Sequence, residues 1–226
     1  MGIRENYLRV RKDVDRIAAA CGRRPEEIQI VAVSKTHPSQ VIQDAIQSGL
    51  TLFGENRIQE ARLKIPDLSG DFTFHLVGHL QSNKAREAVK LFDLIHSLDK
   101  AGTAEAVNRE AEKVGKIQKV LVQVNTSAEE SKSGIEPEAA PGLCGDILQM
   151  KNLELQGLMT IGPLTGDELR IRQSFILLRD LLGQVNTTYG IALKELSMGM
   201  SSDYRMAVEE GATLVRIGSA IFGVRI

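Results

Sequence analysis

Tryptophan is absent from the 226 residues, aromatic side chains make up only 4 %, and there are two cysteines, Cys21 and Cys144. Two cysteines without CxxC spacing exclude a disulfide framework and a thiolate metal cluster. Both fall in segments of helical periodicity and read as small, buried or half-buried side chains. Charge of one sign is missing as well: 28 Lys and Arg face 29 Asp and Glu, a formal net charge of −1. That balance points to neither nucleic acid nor a membrane surface as partner. No apolar run reaches the roughly 18 residues of a membrane span. The charged, amphipathic first 16 residues have no apolar h-region, so no secretory leader is expected. The four histidines, His37, His75, His79 and His96, lack metal-ligand spacing such as HExxH, and no metal is expected. What remains is ordinary for a globular protein of a reducing, cytoplasmic compartment, with 42 % hydrophobic and 25 % charged residues.

Apolar and small residues crowd 28–34, where Val and Ile dominate, as in a strand buried on both faces. The run stops at Ser34-Lys35, and Pro38 suits the first turn of a helix. Seven further runs follow, at 51–53, 72–77, 91–98, 119–124, 153–159, 195–197 and 213–217. Helical patterns separate them, at 39–48, 56–63, 82–89, 101–114, 136–149, 167–185 and 204–210, and a helix over 3–21 precedes the first strand. Strict alternation implies parallel strands joined by right-handed crossovers. Eight units of about 25 residues predict a single-domain (β/α)₈ barrel over 1–226, with an extra N-terminal helix. A doubly wound open sheet is the competing arrangement, but no strand leads into a Gly-rich dinucleotide fingerprint. The polar loop 126–134 is the expected mobile segment.

Functional residues of such a barrel collect at the carboxyl ends of its strands. Here those ends carry Lys35, Asn56, His79, Ser97, Asn125, Met159-Thr160, Ser197 to Ser202, and Arg216 with Gly218-Ser219. Lys35 reads either as a strand-end lysine snorkelling into water or as an amine nucleophile able to form a Schiff base with an aldehyde. Small residues and hydroxyls follow strands seven and eight, where many barrels bind phosphate. Ser201-Ser202-Asp203 alone could be a helix cap, and Arg216 alone could pair with a carboxylate. Together, a strand-end lysine and a phosphate cradle suit a phosphorylated aldehyde, pyridoxal 5′-phosphate. Arg216 is then placed to reach its pyridine nitrogen.

Five stretches carry a resemblance: Ala32-Val33-Ser34-Lys35-Thr36; Phe53-Gly54-Glu55-Asn56-Arg57-Ile58-Gln59-Glu60; His75-Leu76-Val77-Gly78-His79-Leu80-Gln81-Ser82-Asn83-Lys84; Leu196-Ser197-Met198-Gly199-Met200-Ser201-Ser202-Asp203; and Arg216-Ile217-Gly218-Ser219. In this order, over essentially the full chain, they resemble the pyridoxal phosphate homeostasis proteins (the YggS/PROSC group). The resemblance implies a barrel similar to the N-terminal domain of alanine racemase, of pyridoxal phosphate fold type III. It implies Lys35 as the Schiff-base lysine, Ser201, Gly218 and Ser219 around the phosphate, Met200 also at the cofactor, and Arg216 facing the pyridine nitrogen. Asn56 and His79 match motifs at the same site.

The racemase adds a β domain whose tyrosine is a second base. This chain ends at Ile226, after the eighth unit, and has Ser39 where the racemase has a phosphate-binding tyrosine. The resemblance therefore implies a cofactor carrier serving vitamin B6 and amino-acid balance, with pyridoxal-phosphate-dependent apo-enzymes as recipients. An amino-acid racemase and a class I aldolase acting on a sugar phosphate are the alternatives. Glu129, Glu130 and Lys132 read as solvated loop charges, and Tyr189 and Tyr204 as packing residues. No long exposed apolar stripe predicts an obligate dimer, so a monomer is expected.

Overall fold

A computed structural model of the chain describes residues 2–127, 129 and 133–223. Helix α1 (Ile3–Ala20) leads into β1 (Gln29–Val33), and the chain then alternates: α2 (Ser39–Gln47), β2 (Leu52–Glu55), α3 (Ile58–Lys64), β3 (Thr73–Leu76), α4 (Ala85–Leu91), β4 (Leu94–Leu98) and α5 (Ala101–Lys113). The second half continues with β5 (Gln118–Gln123), α6 (Ala140–Leu148), β6 (Leu153–Met159), α7 (Glu168–Tyr189), β7 (Glu195–Met200), α8 (Tyr204–Glu209), β8 (Leu214–Ile217) and the short α9 (Ser219–Phe222). Among the described residues the eight strands pair in sequence order, all parallel, and close into a barrel. The seam joins Gln29 to Leu214 and Ala32 to Ile217 across β1 and β8.

Both faces of β1 are apolar because each face has its own core. Ile30 and Ala32 belong to the layer between sheet and helices, with Phe53, Phe74 and Phe175. Val31 and Val33 point into the barrel, with Val77, Leu94, Leu121, Met159 and Leu214. Opposite pointing of successive strand residues produces this division. In α1, Val10, Val14, Ile17 and Ala18 form the buried stripe. Arg23 fastens the turn after α1 to the far end of the chain by donating to the carbonyls of Val208 and Ala212, both at 2.9 Å.

Four departures from the sequence reading bear on packing and on the site. Strand β7 continues to Met200 instead of stopping at Ser197. Helix α4 runs through Leu91, so β4 starts at Leu94, where the Asp93 carboxylate turns back to accept from the Phe74 amide at 3.0 Å. Cys21 is exposed at the end of α1, whereas Cys144 is buried in α6. Tyr189 is exposed at the end of α7 and donates to the Pro141 carbonyl, so it packs less than expected. No helix among the described residues is long and apolar enough to cross a membrane.

Strand β7 carries an irregularity that shapes one end of the barrel. Ser197 pairs with Leu214 but Met200 pairs with Arg216, so β7 spends three residues where β8 spends two. The extra residue is Gly199, at φ +89°, where an added Cβ would lie 2.5 Å from the Cβ of Ala207. A bulge reverses the alternation beyond it. Ser197 and Met200 therefore both face inward, though three residues apart.

Candidate functional site

At the end of β1 the chain turns sharply, with the His37 amide donating to the Ser34 carbonyl at 3.1 Å. Thr36 takes φ +67°, a left-handed conformation unusual for a β-branched residue. Such strain persists where neighbours over-determine it, and here they do. The Thr36 amide donates to Glu60 Oε2 at 2.8 Å, and Lys64 Nζ donates to the Ser34 carbonyl at 3.2 Å. Lys64 also meets Glu60 at 3.0 Å and Glu55 at 2.9 Å, while the Ser34 hydroxyl donates to Glu55 at 2.8 Å. Lys35 is thus held on both sides through its neighbours' backbones, and its own side chain is exposed.

The buried lysine of this region is Lys64, not Lys35. The only hint in the sequence is its i,i+4 spacing from Glu60. Burial raises the Glu55 carboxyl above its ordinary range despite Lys64 and Ser34, and its Oε2 has no hydrogen-bond partner among the described residues. Burial would raise Glu60 too, but the Thr36 amide and Lys64 outweigh it and hold that carboxyl low.

Across the barrel mouth, the loops after β7 and β8 are joined. Asp203 stands at the head of α8, yet its carboxylate reaches back to accept from the Met200 amide at 2.6 Å instead of capping the helix. Ser201 Oγ accepts from the Ala220 amide at 3.4 Å, linking the β7 loop to the start of α9. The α9 residue Phe222 in turn lies 5.0 Å, centroid to centroid, from the His37 ring beside Lys35.

Arg216, inward on β8, is buried. It donates through Nη1 to the Ser197 hydroxyl at 2.6 Å and through Nη2 to the Thr160 carbonyl at 2.7 Å. Burial lowers the guanidinium to about 10, with Asp203 pulling the other way. Its bonding partners are a hydroxyl and a carbonyl, not the carboxylate that arginine commonly finds.

These segments enclose a cavity of about 500 Å³ at the carboxyl ends of the strands. Lys35, Asn56, Met200, Ser201, Ser202, Arg216, Gly218 and Ser219 all line it, and the structure adds His37 and the apolar Val33, Val77 and Ile161. The apolar residues and His37 escaped the sequence reading because nothing local distinguishes them from core or loop. His79 does not line the cavity. It sits exposed, with Nδ1 3.6 Å from the buried Asp99 carboxylate. Gly78, beside it, permits the approach of this turn to Asn56, whose carbonyl oxygen would lie 2.1 Å from an added Cβ. Ser97 is spent on the Gly78 carbonyl at 2.7 Å.

Ser197 is sequestered in the barrel wall and contributes nothing to the mouth. In the loop after β5, Asn125 binds the Ser127 hydroxyl and the Glu129 carbonyl. Ala128, Glu130, Ser131 and Lys132, four of the nine residues of the expected mobile segment 126–134, lie outside the described residues.

The lining suits a phosphorylated, aromatic anion. Its titratable groups are Lys35, Arg216 and His37, its hydroxyls are Ser201, Ser202 and Ser219, and none of the lining residues is a carboxylate. The lining combines charge-assisted donors with the apolar side chains of Val33, Val77, Ile161 and Met200, which offer a surface for a ring. An exposed primary amine at the rim can reach a carbonyl carbon.

The sequence profile of the alanine racemase N-terminal domain matches residues 6–226. The pyridoxal phosphate homeostasis protein of Aquifex aeolicus (strain VF5) is 40 % identical over 221 residues, covering 96 % of this chain and 97 % of that protein. Among solved structures, PipY of Synechococcus elongatus PCC7942, with PLP bound, superposes with a TM-score of 0.82 at 38 % identity. That match covers 93 % of this chain and 100 % of the other. An alanine racemase of Clostridium difficile 630 has a TM-score of 0.78 at 14 % identity, covering 99 % of this chain and 57 % of that one, a likeness of fold.

Proposed function

The chain belongs to the alanine racemase N-terminal domain family and, within it, to the pyridoxal phosphate homeostasis proteins, and from that premise we propose that it binds pyridoxal 5′-phosphate in the cavity at its barrel mouth. The observation that carries this reading is the convergence of the Lys35 amine, the Arg216 guanidinium and three serine hydroxyls on a cavity with no carboxylate among its described lining residues. When bound, the cofactor supplies an aldehyde that a primary amine can capture and a ring that absorbs visible light.

In this reading Lys35 offers its amine to the aldehyde. Ser201 and Ser219 donate hydroxyls to the phosphate, and Gly218 lets the backbone come close to it. Met200 and Val33 keep water from the ring, Asn56 borders the ring edge, and Arg216 supplies a donor to the pyridine nitrogen. Because arginine donates and does not accept, it leaves that nitrogen without a proton. An unprotonated ring is a weaker electron sink, and the lining contains no tyrosine to act as a second base. Both features support holding the cofactor over running racemisation with it. The proposed role is a cytoplasmic, single-domain, monomeric carrier over residues 1–226, serving vitamin B6 and amino-acid balance with pyridoxal-phosphate-dependent apo-enzymes as recipients.

The test is a visible spectrum of the protein after incubation with pyridoxal phosphate, followed by borohydride reduction and peptide mass analysis. A visible band lost on reduction, with the added mass on the Lys35 peptide, is expected. Lys35→Ala should lose that adduct yet retain weaker, non-covalent binding through the phosphate contacts. No band and no adduct in the native protein overturns the reading. Deuterium exchange at Cα of added amino acids, at enzyme-like rates, overturns the carrier role in favour of a racemase.

A further inference from the structure

Behind Arg216 a line of polar side chains runs into the closed interior of the barrel, where apolar residues would be expected. Ser197 Oγ lies 2.8 Å from His96 Nδ1, and His96 Nε2 lies 3.0 Å from His75 Nδ1. Ser197 and His96 are fully buried, and His75 is 8 % exposed. With Arg216 Nη1 at 2.6 Å from the same serine oxygen, four residues from β8, β7, β4 and β3 form one chain.

The direction of the bonds follows from proton inventory. Arginine has only donors, so Ser197 Oγ accepts from Arg216. The serine then has one proton, and His96 Nδ1 is the acceptor within reach. With Nδ1 accepting, a neutral His96 carries its proton on Nε2 and donates it to His75 Nδ1. The reverse direction leaves two donors on Ser197 and its buried hydroxyl proton without a partner, an unfavourable state in a dry interior.

We infer that His96 is a positioning residue: with His75 and Ser197 it fixes the hydrogen bonds behind Arg216 in one direction and holds that guanidinium as a charged donor aimed into the cavity. Aligned neutral dipoles compensate a buried cation without adding an opposing charge. A carboxylate in the place of Ser197 would draw the guanidinium density away from the mouth, whereas a serine backed by two neutral imidazoles leaves it available. The consequence for the ring nitrogen rests on the proposed cofactor site, but the bond direction does not.

Long-range ¹⁵N–¹H correlation spectra of the cofactor-free protein, with labelled histidine, read the tautomers directly. Both His96 and His75 are expected neutral at pH 7 and protonated on Nε2. A proton on His96 Nδ1, or an imidazolium at either position, overturns the inference.

The second arm uses His96→Gln, whose amide can still accept from Ser197 and donate to His75, against His96→Leu, which can do neither. Pyridoxal phosphate affinity is expected to fall about tenfold in the leucine variant and to be largely kept in the glutamine variant. The pyridine ¹⁵N shift of labelled cofactor should move only with leucine. Equal effects from both variants, or none from leucine, overturn the inference. Should His96→Leu fail to fold, Ser197→Ala breaks the same chain at its other end, with the same expectation. Absence of cofactor binding in the native protein would refute the proposed function alone, since the tautomers are read without cofactor.

Discussion

Lys64 Nζ stands 2.9 Å from Glu55 Oε1 in the wall between β2 and α3, and the same ammonium holds the backbone carbonyl that precedes Lys35. Glu55 is fully buried. Removing one partner of a buried pair strands the other without compensation, which costs about 3–5 kcal/mol. Lys64→Met should destabilise the fold by that order in urea unfolding, and adding Glu55→Gln should recover much of it. A double variant no more stable than the single one would show that the pair is not the coupled unit.

Glu55 also sets a pH dependence. Its folded pKa is raised above the ordinary 4.5, chiefly by burial. A raised carboxyl contributes stability that is complete below its unfolded pKa and lost as pH rises through the folded value. Glu55→Gln should therefore gain on the native protein as pH rises from 4 to 8. Urea midpoints at the two ends of that range check the sign.

The histidine pair acts in the opposite sense. His75 is lowered to about 4, by burial and then by Lys119, and burial, His75 and Arg216 hold His96 well below 6.5. A folded pKa below the unfolded one gives stability that is full above pH 6.5 and lost as pH falls toward 4, because the unfolded chain takes up protons that the native state refuses. From His75 the loss amounts to about 3 kcal/mol over that window. Unfolding midpoints of His75→Gln should slope less steeply than those of the native protein between pH 6.5 and 4.5. Parallel slopes would place the acid sensitivity elsewhere.

Glycine substitutions should separate the bulge from an ordinary helix. At Gly199 a Cβ meets Ala207 at 2.5 Å in a left-handed backbone, so Gly199→Ala should cost about 2 kcal/mol or more and weaken cofactor binding through Met200 and Ser201. Gly183 is exposed in α7 with nothing within 4 Å of an added Cβ, and Gly183→Ala should stabilise by about 0.5–1 kcal/mol. Thermal unfolding of the two variants should shift in opposite directions.

The thiols provide a fast check on the packing of α6. Cys21 is exposed, whereas Cys144 is buried and its thiol is pushed up to about 12 by burial. A thiol reagent at pH 8 should label Cys21 promptly and Cys144 only after denaturation. Two promptly reacting thiols in the native protein would contradict the burial of Cys144.

The order of the strands, the closed barrel and the end at which chemistry collects were all legible in the sequence, because β–α alternation and the side-chain period are local properties of the chain. So were Lys35, Ser201, Arg216, Gly218 and Ser219, which stand at strand ends or in short runs of small residues. Three features were not legible, for one physical reason. The bulge at Gly199 depends on pairing with β8, the hold of Lys64 and Glu60 on the Lys35 turn joins β1 to α3, and the line from Arg216 to His75 crosses four strands. Each is set by contacts between residues distant in sequence. The sequence by itself determined a barrel with an amine at its mouth. The tertiary structure decided which lysine is buried, which way β7 presents its last residues, and what stands behind the arginine, since burial and hydrogen-bond direction exist only once the strands have closed.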